Sequence, residues 1–332
     1  MPHILAAAFP ELSAKLGFID PLDVVGFNYK EHLYEEHHKA FPDKPFLGSE
    51  NGHSLSAWKA VTDNAYISGQ FLWTGIDYLG EANWPQRSAG CGCLDTCGFE
   101  KDAFYFYKSV WNQKEKFAYL CPHWNLKLKK GTVLPVICYT NCEDAELFVN
   151  GRSFGMKSKG FPCYGMTERY GHFDRYRRPA NTDDLFLSWD VPYEPGKIEV
   201  VGYHDGKEVC RYNVETTGEA AAIKLTVDKT SVYADGRSVV QAEVRILDSE
   251  GHLVFDACPE LNFTLEGDGE IIGIDNGDPA CHEQWKETKG RHAFNGMAYA
   301  VIRAGQNKGE LKLTVTSSDN TLTNASVTIQ VG

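Results

Sequence analysis

No apolar run in the 332 residues approaches the ~20 that a helix needs to cross a bilayer, so no membrane partner is expected. Positive charge is in deficit too: 33 Lys and Arg stand against 45 Asp and Glu, a formal charge of -12. Nucleic-acid phosphates call for basic surface, so a nucleic-acid partner is not expected, whereas a neutral ligand is compatible. The opening "MPHILAAAFPELSAKLGFID" has no basic leader and no small-residue cleavage site, and the sequence assigns no compartment. Ten cysteines are present, but none in the paired C-x2-C spacing of a zinc site. "CGCLDTCGF" spaces Cys91, Cys93 and Cys97 as C-x-C-x3-C with no second cluster, which reads as small buried thiols. Cys138 with Cys142 and Cys258 with Cys281 are the pairs to inspect for disulfides. The order H-E-x-x-H is missing as well. "EHLYEEHH" brings His32, His37 and His38 near acids and reads as a solvated helix face. "DNGDP" at 275–279 and the acids around Asp268 lack the twelve-residue calcium pattern and read as turns.

What is present suits packed domains: 42% hydrophobic and 12% aromatic residues, over a length that calls for two or three cores. "DVVGFN", "PFLGSE" and "QFLWTGIDYL" read as short buried strands. "KEHLYEEHHKAF", stopped by Pro42, and "SAWKAVTDNAYISG" read as the helices between them. That alternation is the βαβ pattern of a parallel sheet. "DAFYFYKSVWN" adds one more helix. After about residue 117 the texture changes to short alternating strands broken by Asn-Gly, Pro-Gly and Asp-Gly turns, the pattern of a β-sandwich. "TTGEAAA" at 216–222 is linker-like, and a second all-β set follows it. "GHFDRYRRP" carries a basic cluster, Arg175, Arg177 and Arg178, read as a loop resting on a neighbouring domain.

Three strand ends line up in the first part. Asn28 and Tyr29 end the first strand, Glu50 the second, and Trp73 with Asp77 the third. In a β/α barrel, catalytic side chains project from the carboxyl ends of several strands. A carboxylate can attack or stabilise an oxocarbenium-like centre. A tyrosine hydroxyl can donate to that carboxylate, and an indole offers an apolar platform to the carbon face of a sugar.

"DVVGFNY", "PFLGSE", "GQFLWTGIDYLGE" and "GFEKDAFYFYKSVW" resemble the last part of the catalytic barrel of glycoside hydrolase family 2, the β-galactosidase family. "CPHWN", "VLPVICYTNCEDAELFVNGRSFG" and "LSWDVPYEPGKIEVVGYHDGK" resemble the sandwich that follows that barrel. "LNFTLEGDGEIIGIDNGDP" and "AFNGMAYAVIRA" resemble a further immunoglobulin-like (invasin-like) domain. The resemblance implies the end of a (β/α)8 barrel over residues 1–117, a β-sandwich over 118–217 and an immunoglobulin-like β-sandwich over 218–332. It implies Glu50 as nucleophile, Tyr29 as its hydrogen-bond partner with Asn28 beside it, and Trp73 as sugar platform. It also implies Asn28, Asp77 and Glu81 as substrate-binding groups, Asp77 at the acidic position four residues after Trp73 and Glu81 in the following loop in reach of sugar hydroxyls.

The family's acid/base glutamate comes from an Asn-Glu pair, and no such dipeptide occurs here. About three barrel strands are countable. The expectation is a carboxyl-terminal portion that carries the nucleophile, lacks the acid/base and hydrolyses β-galactosides poorly alone. A β-glucuronidase is the rival reading; residues 80–98 contain no Asn-x-Lys element of the kind those enzymes use. A non-catalytic carbohydrate-binding or scaffolding role is the rival from another class. The expected partner is a carbohydrate, with a homo-oligomer left open. No cofactor is assigned, since the magnesium or sodium ligands of some relatives lie mostly upstream.

Overall fold

The computed structural model describes residues 3–158, 186–284, 286 and 290–332. The basic cluster of Arg175, Arg177 and Arg178 lies outside the described residues. Among those described, no helix is long and apolar enough to cross a membrane.

Strands β1 (Ile4–Ala7), β2 (Val24–Asn28), β3 (Phe46–Asn51) and β4 (Ile67–Leu72) form one parallel sheet in that order. Helices α1 (Pro10–Lys15), α2 (Tyr34–Ala40) and α3 (Leu55–Thr62) lie in the three crossovers, and α4 (Asp102–Trp111) follows later. Val25, Phe27 and Phe46 are fully buried between sheet and helices, together with Ile19 and Tyr34. The sequence shows three of these strands. "ILAA" is too short and alanine-rich to announce the fourth.

Helix α2 corrects another expectation. His32, just before the helix, is exposed as expected, but His37 is only 5% exposed and sits edge-on to Phe27 at 5.0 Å. His38 stacks on Tyr66 at 3.8 Å. Tyr34 and His37 stand three residues apart, so the helix turns both toward the sheet despite its polar composition. Burial lowers the His37 pKa and favours a neutral ring. Around α1, Phe9, Leu12, Leu16 and Phe18 are exposed, as is Phe71 on β4.

A small ribbon, β5 (Tyr78–Leu79) with β6 (Ser88–Ala89), links this unit to the all-β part. There, β7 (Ala118–Cys121), β8 (Val133–Thr140) and β11 (Phe186–Pro192) form one antiparallel sheet, in the order β11-β8-β7. The facing sheet runs β10-β9-β12-β13, from β9 (Asp144–Val149), β10 (Arg152–Ser158), β12 (Lys197–His204) and β13 (Lys207–Glu215). Trp124, Val136, Leu147, Val191 and Val200 fill the space between. The hairpin signals hold: Asn150-Gly151 and Asp205-Gly206 all have positive φ, as tight two-residue turns require. Among the described residues no cysteine is joined in a disulfide, so neither Cys138 with Cys142 nor Cys258 with Cys281 is bridged. The sulfur that approaches Cys142 is that of Cys210, at 3.5 Å.

The last unit packs the sheet β14-β16-β20-β18 against β15-β22-β21-β17-β19. The first comprises β14 (Ala222–Val227), β16 (Val239–Leu247), β18 (Gly269–Asp275) and β20 (Met297–Ala304). The second comprises β15 (Ser231–Val232), β17 (Glu260–Glu266), β19 (Gly290–His292), β21 (Gly309–Ser317) and β22 (Ala325–Val331). Alternation inward along β16, β20 and β21 buries Val240, Val244, Ala300, Ile302, Leu311 and Leu313 in a single core.

The linker-like stretch at 216–222 is tied down at its start. The Thr216 hydroxyl donates to the Trp124 carbonyl at 2.9 Å, and the Gly218 N–H to Asp248 at 3.0 Å. The last unit also meets the first. Arg87 pairs with Asp275 at 3.2 Å, Trp84 stacks on His282, and the Arg87 N–H donates to the Pro279 carbonyl. Gly277 fits this seam because a Cβ there would come 2.1 Å from Asp95 Oδ2. Asp275, the last residue of β18, thus helps to hold two units together.

Candidate active site

Parallel strands end on one side, and here those ends gather the predicted groups. Asn28 and Glu50 are register partners on β2 and β3, and the Tyr29 N–H donates to the Glu50 carbonyl at 2.7 Å. The register slips between Phe27 and Asn28, so Ser49 is an extra residue on β3. Such a bulge re-aims the side chain that follows it, which is Glu50. Ser49 fastens the bulge by donating to the Phe27 carbonyl at 2.9 Å. Gly48 precedes it because a Cβ would strike Asn51 Oδ1 at 2.2 Å and the Tyr34 hydroxyl at 2.7 Å. Buried Asn51 accepts from that hydroxyl and donates to Gln70, bracing β3 from behind.

The phenol of Tyr29 lies close enough to the half-buried Glu50 side chain for the carboxylate to act on it. Burial first, then the neighbouring carboxylate, push the Tyr29 pKa up, so the phenol keeps its proton and stays a donor. Tyr29 achieves this in the left-handed region, at φ 52, a conformation unfavourable to a bulky residue and common at functional sites.

One strand over, Trp73 is 38% exposed and is held by its indole N–H, which donates to the Tyr78 hydroxyl at 2.9 Å. The Tyr78 hydroxyl in turn donates to Glu81, an exposed residue also in the left-handed region at φ 48. His53 reaches the Trp73 carbonyl at 3.1 Å from the loop after Glu50. Cys91 adjoins Thr74 at 3.8 Å and is near enough to act electrostatically on both Tyr29 and Tyr78.

Asp77 stands apart. Its side chain is 4% exposed, and Lys101 reaches its two oxygens at 2.9 and 3.0 Å. The Gly92 N–H takes Oδ1 as well, at 2.7 Å. These partners make Asp77 a clasp for the loop from 73 to 101. Sequence reasoning passed over Tyr78, Lys101 and Cys91. Tyr78 was legible only as a neighbour of Asp77, while Lys101 lies 24 residues away and carries no local signal.

For a metal, the described residues offer one group, Glu143, His204 and Asp205, with ligand atoms within 4.8 Å of one another. It lies in the turns of the second unit, where the Asp205 N–H already donates to Glu143 and His204 pairs with the same carboxylate. It is a surface ion-pair cluster, and it contains none of the residues gathered around Glu50.

Comparison with known proteins follows this geometry closely. The model for glycoside hydrolase family 2 C-terminal domain 5 matches residues 223–328, and a domain of unknown function matches 131–210. The β-galactosidase BoGH2A of Bacteroides ovatus is 34% identical over 346 residues, which cover 89% of this chain and 38% of that protein. A putative β-glucuronidase of Formosa agariphila is 32% identical over 74% of this chain and 22% of its own length. A solved family 2 glycosyl hydrolase from Bacteroides cellulosilyticus superposes with TM-score 0.83 and 28% identity, over 95% of this chain and 43% of that one. A β-glycosidase from Bacteroides vulgatus gives 0.79 and 26%, over 98% of this chain and 49% of that one. The chain thus spans less than half of these relatives. It belongs to glycoside hydrolase family 2, the C-terminal portion of which it matches.

Proposed function

We propose that this chain carries the nucleophile side of a retaining β-galactosidase site, built on the closing strands of a (β/α)8 barrel. The observation that carries the reading is the gathering of Tyr29 and Glu50 at adjacent parallel strand ends, the Tyr29 N–H donating to the Glu50 carbonyl at 2.7 Å, with Trp73 just past the end of the next strand. Glu50 attacks the anomeric carbon and forms a galactosyl ester. Tyr29 orients the carboxylate, and Trp73 supports the sugar's carbon face. Departure of a poor leaving group needs a second carboxylic acid ~5–5.5 Å from the nucleophile. We assign that acid to no residue of this chain. Turnover of an unactivated galactoside is therefore slow, by the roughly 10²–10⁴-fold that general acid catalysis contributes. We take the domain limits as 1–117, 118–217 and 218–332: one buried cluster lies within each, and a fourth, with Phe106 and Tyr107 against Cys121 and Tyr139, bridges the first two.

A galactoside is favoured over a glucuronide by the fate of the nearby cations. Between Trp73 and Lys101 the sequence holds two, Arg87 and Lys101. Arg87 is paired with Asp275 and Lys101 with Asp77, so a uronate carboxylate finds no spare cation in this segment. The test is reaction with paired 2-deoxy-2-fluoro glycosides bearing a dinitrophenyl leaving group, which needs no acid. The galacto probe is expected to label the protein at least about tenfold faster than the glucurono probe. The reverse preference refutes the galactosidase reading.

Tyr29→Phe tests the other element. Removing a hydrogen bond to a charged group costs about 1.5–3 kcal/mol, so labelling is expected to slow by about tenfold or more. An unchanged rate means the phenol does not act on Glu50.

A further inference from the structure

Beside the site, the loop from 77 to 97 and the last β-sandwich enclose a cleft of about 470 Å³. From the loop it takes Tyr78, Leu79, Arg87 and Cys97; from β18 and β20 it takes Ile272, Ile274, Tyr299 and Val301, with Asp275 at the seam. We infer that this cleft, which rests on the glycosidase reading above, is the aglycone site and that it receives an uncharged aromatic aglycone.

Three observations carry the inference. The first is continuity: Tyr78 lines the cleft, while its hydroxyl joins Trp73 to Glu81 on the sugar side. The cleft and the proposed sugar platform therefore share one tyrosine as a common wall. The second is chemistry. The charged groups in the lining already have protein partners: Asp77 holds Lys101 and the Gly92 N–H, and Arg87 holds Asp275. The Tyr299 hydroxyl donates to Gln241. A second sugar ring needs many free donors and acceptors, whereas an aromatic ring needs apolar walls and ring faces, which Ile272, Ile274, Val301, Tyr78 and Tyr299 supply. The third is place and size. The volume suits a small-molecule moiety, and boundaries between domains are where such pockets concentrate. The wall is also specifically shaped, because β18 is an edge strand that bulges between Ile271 and Gly273, beside the lining residue Ile272.

The experiment is calorimetric titration of the 332-residue chain with methyl 1-thio-β-D-galactoside, 2-naphthyl 1-thio-β-D-galactoside and free 2-naphthol. The naphthyl thioglycoside is expected to bind about tenfold or more tightly than the methyl one. Ile272→Asp, which places a charge in the wall, and Ile272→Trp, which fills the space, should each abolish that gain and leave methyl thiogalactoside binding unchanged. Circular dichroism confirms that both variants fold. Free 2-naphthol should displace only the naphthyl ligand's extra affinity. Equal affinity of the two thioglycosides, or a gain that survives both Ile272 substitutions, overturns the cleft assignment while the sugar site stands. Binding of 2-naphthol that depends on Ile272, with neither thiogalactoside bound, overturns the sugar site and the aglycone role with it.

Discussion

Replacing Glu50 with Gln is expected to abolish covalent labelling by a dinitrophenyl 2-deoxy-2-fluoro-β-galactoside, a loss of about 10³-fold or more. The substitution keeps size and shape, and Glu50 is only half-buried, so the fold is expected to persist. What it removes is the ability to form an ester with the anomeric carbon, because a neutral amide oxygen is a far weaker nucleophile than a carboxylate. The activated leaving group departs without a proton, so the measurement isolates this one residue from the acid that the mechanism also needs. Intact-mass analysis reads the result as one added fluorosugar per wild-type chain. Peptide mapping should place it on Glu50, in the segment running from Phe46 to Asn51. A label on another acid, or undiminished labelling of the Gln variant, removes Glu50 from the mechanism. Asp77→Asn is the informative contrast. Its carboxylate is engaged by Lys101 and the Gly92 N–H, so the variant should disturb the loop without ending the chemistry.

That contrast marks where the sequence could be read and where it could not. The placement of Glu50, Tyr29 and Trp73 at strand ends was legible because it is a local property: a short apolar run followed by a polar residue and a loop fixes which end of the strand each group occupies. The hairpins at Asn150-Gly151 and Asp205-Gly206 were legible for a similar reason, since few residues tolerate paired positive φ. Partnerships between distant residues left no such trace. Lys101 closing on Asp77, Cys210 approaching Cys142 and Arg87 reaching Asp275 each need the tertiary fold to bring side chains together. The histidines of α2 misled for a related reason. An imidazole is polar in composition, yet its ring packs as an aromatic, and only the neighbouring Phe27 and Tyr66 show that it does.

Removing the indole of Trp124 should cause the largest loss of stability, about 3–5 kcal/mol, the range for deleting a buried aromatic side chain. Trp124 is 0% exposed and lies in the core of the second unit, its ring 5.2 Å from that of Tyr193. Its indole N–H donates to the Glu194 carbonyl at 2.9 Å, so Trp124→Ala opens a cavity and strips that carbonyl of its partner. Trp124→Phe keeps much of the volume and loses the N–H, and should cost less than the alanine variant. Equal costs would mean that the hydrogen bond, rather than packing, dominates. The position also sits on a seam: the Trp124 carbonyl accepts from Thr216, and neighbouring Asn125 holds Thr217 and Asp256. A cavity beneath this seam should therefore loosen the junction with the last sandwich. That sandwich has a separate core around Leu261, Leu311 and Ile302, which keeps its own stability. Hydrogen exchange should accordingly show lost protection in β7, β8 and β12 of Trp124→Ala, with β20 and β21 protected as in the wild type. Uniform loss across both sandwiches would instead make them one cooperative unit, because a local cavity can lower protection everywhere only where the cores unfold together.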